Sequence, residues 1–342
     1  MDTFTLFHHL VSEPKKIAAF SFDKNGDVMN NETENQVFLN KSVLTKENVN
    51  IDLKKHFEYY EHKVEECKVF FRSNMLLDFY KRGDKKLKKG LMGSDFFITR
   101  GTLSALAGGK GQTSLTSWAF VLDGVIIIAC DKSLNPETST IQNYSGLYFE
   151  TTITSKDGDE TENLDRHANN WEQYKEVYSV DVFLTNGETV RVAYSCEIDA
   201  FDKRTMKPLE IKTQYLKNTQ FMGGKIFGYK KSVNVCLQCM LGNIHEVVVG
   251  YKDDDNVVCK IKKYPVKDIL KPSCIANAVE KCCHQLGNRL EHIKKLFLGK
   301  KNEGCFKIET FDYSEEFSAT YYPEIVPEVK RLFTKEFCDT FF

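Results

Sequence analysis

The segment from Glu188 to Gln214 constrains the fold more than any other part of the chain. It opens ETVRVAYSCEID (Glu188 to Asp199), in which Val190, Val192, Tyr194, Cys196 and Ile198 alternate with Arg191, Ala193, Ser195, Glu197 and Asp199. A period of two marks a strand with one side on a core; the other side here ends in two acids. After the polar connection AFDKRTMKP, the run PLEIKTQ (Pro208 to Gln214) repeats the pattern, with Leu209 and Ile211 on the apolar side and Glu210 and Lys212 opposite. The simplest arrangement is two adjacent strands, a hairpin with an irregular loop. Cross-strand Cβ atoms stand roughly 4.5–5.5 Å apart, so Glu197, Asp199, Glu210 and Lys212 are expected to converge. Three carboxylates this close repel one another unless positive charge lies between them. Lys212 supplies one such charge, and a divalent metal would supply the rest.

Core material is ample, with 342 residues of which 42% are hydrophobic. No Pro/Gly/Ser-rich linker or repeat interrupts the chain, which favours one domain over residues 1–342. A formal net charge of −1 excludes a globally basic nucleic-acid binder, so a polyanion would need a local basic surface or metals. The run KRGDKKLKKG (Lys81 to Gly90) carries six basic residues against one Asp and reads as a solvated helix end, with an RNA-facing patch or nuclear signal as the alternative. The opening residues lack an apolar secretory core, so the eleven cysteines are expected to be reduced intracellular thiols. Cys236 and Cys239 followed by Cys282, Cys283 and His284 make a poor zinc signature, because the second half lacks ligand spacing. The most apolar run, VIIIAC (Val125 to Cys130), falls far short of the roughly 18 residues that suggest a membrane span.

Strands are expected at Ile17 to Phe22, Phe96 to Thr99, Ser117 to Leu122 and Val125 to Ala129, the last two joined by an Asp123-Gly124 hairpin turn. Helical patterns run from Leu53 to Lys81. Glu150 closes the aromatic-rich GLYFE and is either a helix acid at the edge of the core or an inward-facing ligand. SVNVCLQCMLGN reads as a helix carrying Gln238 and stopped by Gly242, and the acidic KDDDN beyond it as a hairpin turn.

The ordered series ITRGTL (Ile98 to Leu103), GLYFE (Gly146 to Glu150), EID (Glu197 to Asp199), LEIK (Leu209 to Lys212) and LQCMLGNIHEVVVGY (Leu237 to Tyr251) resembles the motifs of the decapping exoribonuclease family, DXO, across roughly residues 15 to 300. The resemblance implies an α+β fold, a mixed β-sheet packed on a second smaller sheet and flanked by helices, with a PD-(D/E)xK nuclease-like core. It implies metal-dependent hydrolysis at RNA 5′ ends: pyrophosphate release, removal of incomplete or NAD caps, and 5′-to-3′ exoribonuclease action. It further implies Glu150, Asp199 and Glu210 as direct ligands of Mg²⁺ or Mn²⁺, with the Ile211 carbonyl as another oxygen and Glu197 acting through water. Two ions about 3.5–4 Å apart could then serve both attacking and leaving oxygens. Lys212 would orient water or offset phosphate charge, Gln238 would bond near the scissile phosphate, and Arg100 would grip a neighbouring phosphate.

Two stretches depart from the family. ALAGGKG (Ala105 to Gly111) stands where TPY is expected after the Arg-Gly pair, and Val235, Cys236 and Leu237 replace aromatics before Gln238. Retention of every acid favours an active hydrolase; the altered stretches favour the alternative, a non-catalytic member that binds RNA 5′ ends or regulates an exoribonuclease partner. A DNA nuclease of restriction type explains the Glu-apolar-Lys run but not the other motifs. No membrane association is expected, and residence would be nuclear or cytoplasmic.

Overall fold

The acid-bearing strands do not pair with each other; they belong to different sheets. The computed structural model describes residues 3–60, 64–108, 115–131, 140–158, 165–217, 226–300, 303–310 and 317–342. Its strands are β1 (Lys15–Ser21), β2 (Phe38–Leu39), β3 (Ile51–Asp52), β4 (Phe96–Thr99), β5 (Leu115–Leu122), β6 (Val125–Cys130), β7 (Thr154–Ser155), β8 (Tyr174–Phe183), β9 (Thr189–Glu197), β10 (Ala200–Asp202), β11 (Lys207–Tyr215), β12 (Glu246–Lys252), β13 (Val257–Pro265), β14 (Cys305–Thr310) and β15 (Phe317–Tyr322). The helices used below are α1 (Val64–Arg82), α2 (Arg100–Leu106), α3 (Thr140–Ile153), α4 (Tyr229–Leu241), α5 (Ser273–Leu296) and α6 (Lys335–Phe341).

One eight-stranded sheet runs β1-β8-β9-β4-β6-β5-β14-β15 and one seven-stranded sheet runs β3-β13-β12-β11-β10-β2-β7. Both are mixed: β4 lies parallel to β6 and β9, and β11 parallel to β12, among antiparallel neighbours. Three cores fill the layers. One face of the larger sheet, including Val190, Val192, Tyr194 and Cys196, shares a core with α4, α5 and Val247 and Val249 of β12. Its other face, including Ala193, packs on α1 and α6. Leu209 and Ile211 belong to a third core, with Tyr144, Tyr148 and Phe149 of α3.

The expected hairpin between the two acidic strands is therefore corrected. β9 pairs β8 and β4 in the larger sheet, and the hairpin partner of β11 is the three-residue β10, registered as Ala200↔Leu209 and Asp202↔Lys207. Alternation showed that each strand had a buried side but not that two different cores cover them. The polar side of β9 is also more buried than its pattern suggested, since a central strand is covered on both faces.

The expected helix from Leu53 also shortens: Leu53 follows β3 within the third core, Phe57–Tyr59 form one 3₁₀ turn, and the long helix starts at Val64. The Asp123-Gly124 turn is as expected, with positive φ of 45° and 73° at its two residues and Leu122 opposite Val125. KDDDN is a turn in which Asp253 Oδ1 accepts the N–H groups of Asp255 and Val257. Of the glycine-rich ALAGGKG, Gly109 to Gly111 lie outside the described residues.

The basic run occupies the C-terminal end of α1 and a short helix at Leu87–Gly90. Cys67, near the other end of α1, feels the charge of Glu197; at 1.5 Å per helical residue, Lys81 lies roughly 20 Å further along. Three of the cations pair with local acids: Arg82 with Asp78 and Glu32, Lys88 with Asp95, and Lys89 with Asp84.

Candidate active site

The chain passes from one sheet to the other at Ile198 and Asp199, and this crossover builds the site. β9 ends at Glu197 and β10 begins at Ala200. Because β10 is so short, β11 has no strand partner on that edge beyond Leu209 among the described residues. Asp199 fills the first vacancy, its Oδ2 accepting the Ile211 N–H at 2.8 Å. Further along the same edge, the Lys231 ammonium of α4 donates to the Thr213 carbonyl at 2.6 Å and to Gln214 Oε1 at 3.0 Å.

Alternation along β11 sends Leu209 and Ile211 into the α3 core and places Glu210 and Lys212 together on the opposite side. Lys212 donates to Glu210 Oε1 and lies 3.9 Å from Asp199 Oδ2. The second Glu210 oxygen, Oε2, accepts from Arg100 Nη1 at 3.0 Å. Arg100 opens α2 immediately after β4, and Thr99 caps that helix by accepting the Thr102 N–H. The same Arg100 nitrogen reaches the Gln238 carbonyl at 3.4 Å. Gln238 thus joins the cluster through its backbone, one turn before the end of α4. The helix stops as expected at Gly242, although the left-handed residue is Asn243, with φ of 50°.

Charge divides the acids into two kinds. Burial alone would raise Glu210, but Arg100 and Lys212 outweigh it and hold the carboxyl down at about 2. Burial, followed by the Glu210 charge, pushes Asp199 up to about 7, against the pull of Lys212, Arg100 and the Ile211 N–H. Glu150, in the last turns of α3, is raised well above the usual carboxylate range by burial and then by Asp199. Glu197 stands on the wetter side, 41% exposed at its side chain, with Lys175 Nζ at 3.4 Å. Lys231 is lowered to about 8 by burial and the neighbouring Lys212 and Lys252 charges.

Two openings meet at Glu150. A small cleft of about 80 Å³ is lined by Glu150, Glu197, Asp199, Tyr174, Arg166 and His167. A groove of about 340 Å³ is lined by Glu150, Lys212, Lys231, Gln142, Asn143 and Gly146. The structure therefore brings Glu150, Glu197, Asp199, Glu210, Ile211 and Lys212 into one neighbourhood, with Arg100 and the Gln238 backbone behind Glu210. A larger cavity, about 510 Å³, lies apart from the acids between the start of α4 and the start of α5. We take the acids as the site, because convergent buried ionisable groups carry chemistry, and none of them lines the larger cavity. Lys231, Arg166 and His167 were missed in the sequence; only the seven-residue spacing of Lys231 and Gln238 on one helical face hinted at the first.

A hard divalent cation suits these donors by type: oxygen ligands, with two carboxyls whose ionisation burial and repulsion oppose and a cation would favour. As the side chains stand, no group of three His, Cys, Asp or Glu among the described residues could hold a metal ion. The physical reason is that Glu210 is turned onto Arg100 and Lys212 and Asp199 onto the Ile211 N–H. Of the cysteine spacing weighed in the sequence, Cys236, Cys239, Cys282 and Cys283 are buried in the core while His284 is exposed, and they form no such group. No helix among the described residues is long and apolar enough to cross a membrane.

An α+β fold with a mixed sheet that carries Glu210 and Lys212 on one strand, beside Asp199, defines the PD-(D/E)XK class of nuclease folds. Residues 12–337 match the family described as RAI1 like PD-(D/E)XK nuclease, and the chain belongs to that family. Similar solved structures include Scheffersomyces stipitis Rai1 in complex with 3′-NADP and calcium, at 18% identity over 96% of this chain and 94% of that one, with a TM-score of 0.71. Candida albicans Rai1 in complex with pU5 and Mn²⁺ is 16% identical over 96% and 95% of the two chains, with a TM-score of 0.67. K. lactis Dxo1 in complex with manganese is 16% identical over 92% of this chain and 91% of that one, with a TM-score of 0.61. No curated protein matches the chain.

Proposed function

We propose that the protein is a divalent-metal-dependent hydrolase of RNA 5′ ends, releasing pyrophosphate, removing incomplete or NAD caps and degrading RNA 5′-to-3′. The observation that carries this reading is the buried meeting of Glu150, Asp199 and Glu210 beside Lys212 at the sheet crossover. Burying several carboxylates together is costly and serves no packing purpose. The Rai1 and Dxo1 complexes with Mn²⁺, calcium, pU5 and 3′-NADP support both the metal and the nucleotide.

Glu150, Asp199, Glu210 and the Ile211 carbonyl would hold Mg²⁺ or Mn²⁺, as two ions, with Glu197 acting through water. The ions would supply Lewis acidity toward a phosphoryl oxygen and acidify the attacking water. The chain's own residues do the rest. Arg100 keeps Glu210 ionised and fixed in orientation through Nη1, leaving any grip on phosphate to its other guanidinium nitrogens. Lys212, held charged by Glu210, Asp199 and Glu150 against its burial, orients water or offsets phosphate charge. Gln238 positions the scissile phosphate. An exoribonuclease partner and a nuclear or cytoplasmic residence accompany the same reading.

The test is incubation of the purified protein with RNAs bearing 5′ monophosphate, triphosphate, unmethylated cap or NAD, with Mn²⁺ or Mg²⁺ and with chelator. Metal-dependent products from at least one end are expected. A protein inert on all four that still binds RNA would overturn the catalytic reading in favour of a non-catalytic member.

A further inference from the structure

β8 carries a carboxyl group where its alternation calls for an apolar side chain. Tyr174, Glu176 and Tyr178 share the face that looks into the core of Tyr194, Cys196 and Ile198. Glu176 stands opposite Cys196 in register and is 3% exposed. Burying a carboxyl is costly unless its oxygens are bonded, and here both are. Oε1 accepts the Tyr174 hydroxyl at 2.9 Å and the half-exposed Lys16 ammonium of β1, while Oε2 accepts the Tyr178 hydroxyl. Lys16 also reaches the Tyr174 hydroxyl at 3.3 Å. Apolar residues of similar volume would fill such a place at no loss of stability, so the network calls for a reason beyond packing.

The two phenols lead to different places. Tyr178 stacks on Tyr194, with centroids 6.2 Å apart, and stays within the core. Tyr174 instead touches the crossover on both sides of Asp199. Its carbonyl accepts the Ile198 N–H at 3.4 Å, and its ring meets Phe201 edge-on at 5.7 Å. It also lines the small cleft beside Glu150, Glu197 and Asp199. Ile198 and Asp199 lie between β9 and β10 and belong to neither, so contacts of this kind fix where the Asp199 carboxyl points.

Building on the hydrolase reading above, we propose that Glu176 is a positioning residue for the metal site. It anchors the Tyr174 hydroxyl, and Tyr174 in turn holds the Ile198–Asp199 crossover so that Asp199 faces the other acids. Lys16 is the cation that accompanies the buried carboxyl.

The test is Mn²⁺ binding by calorimetry, with kcat and KM on whichever RNA 5′ end is cleaved and Tm in chelator, for Tyr174→Phe, Tyr178→Phe and Glu176→Leu. Each tyrosine variant removes one hydroxyl from the same carboxyl, and the two should lower Tm alike. Tyr174→Phe is expected to weaken Mn²⁺ binding about tenfold, the low end of the loss seen when the support of a metal ligand is removed, and to lower kcat with KM little changed. Tyr178→Phe should bind Mn²⁺ as the wild type does. Adding Tyr174→Phe to Glu176→Leu should cost no further Mn²⁺ affinity, because both act through one hydrogen bond. Wild-type Mn²⁺ affinity in folded Tyr174→Phe, equal losses of affinity in the two tyrosine variants, or additive losses in the double variant overturn the positioning role alone. A wild-type protein that neither binds Mn²⁺ nor cleaves any RNA end overturns the hydrolase reading together with it.

Discussion

Arg100 and Glu210 form a buried ion pair, Nη1 to Oε2 at 3.0 Å, with side-chain exposures of 10% and 1%. The pair ties the start of α2, which follows the larger sheet, to β11 in the smaller one. It also makes Glu210 unlike its neighbours: this acid is compensated by Arg100 and Lys212, whereas burial opposes the ionisation of Glu150 and Asp199, reinforced by the Asp199 charge at the first and the Glu210 charge at the second.

Substitutions at Glu210 and Asp199 should therefore move metal-free stability in opposite directions. Glu210→Gln leaves Arg100 buried without its anion and is expected to cost about 3–5 kcal/mol. Asp199→Asn removes a charge that burial opposes and keeps an oxygen for the Ile211 N–H, and is expected to stabilise by on the order of 1 kcal/mol at pH 7.5 and above. Urea unfolding in chelator checks both; destabilisation of equal size would contradict the charge assignment.

The pH dependence follows with a definite sign. Asp199 titrates at about 7 in the fold against an ordinary 3.8, so its contribution to metal-free stability is present at low pH and lost as pH rises through about 7. Glu210, at about 2 against 4.5, contributes stability above pH 4.5 that is lost as pH falls through about 2. Ligands must be deprotonated to bind metal, so Mn²⁺ affinity measured by calorimetry should rise between pH 6 and 8 and release protons. A flat profile would remove Asp199 from the ligand set.

Gly242 is expected to matter through Arg100. A Cβ there would lie 2.8 Å from Ile244 Cδ1 and 3.2 Å from Arg100 Nη1, so Gly242→Ala must displace one of them. Loss of hydrolysis by about tenfold, with about 1–2 kcal/mol of destabilisation, is the outcome to look for in paired activity and unfolding assays. Wild-type activity would show that Arg100 has room to move.

Hydrolysis itself should fail with Glu150→Gln or Asp199→Asn, by at least about 10²-fold at equal folded concentration, since hard cations need anionic oxygen ligands. Measuring Mn²⁺ binding alongside activity separates loss of metal from loss of chemistry.

Thiol reactivity should follow burial. Cys274 is exposed, whereas burial pushes Cys236 and Cys283 up to about 12 and Cys282 to about 11. A disulfide reagent should modify Cys274 first and the buried three only on unfolding; mass spectrometry of the native protein reads this directly.

Much of the local structure was legible in residue order. The alternation of Glu188 to Asp199 and of Pro208 to Gln214 identified β9 and β11, Asp123-Gly124 identified the β5–β6 turn, and the spacing of Glu210 and Lys212 placed them on one side of a strand. Each rests on backbone periodicity or on a φ requirement met within a few residues. Periodicity reports that a face is covered but not by what, so neither the separate sheets of β9 and β11 nor the separate cores under Val192 and Leu209 could be read from it. The partnership of Arg100 with Glu210 spans 110 positions, and no spacing rule operates over that distance. Only the tertiary crossover at Ile198 and Asp199, set by which strands hydrogen-bond to which, decided that Glu150, Asp199 and Glu210 share one buried site and that the edge of β11 is left for Lys231 to cap.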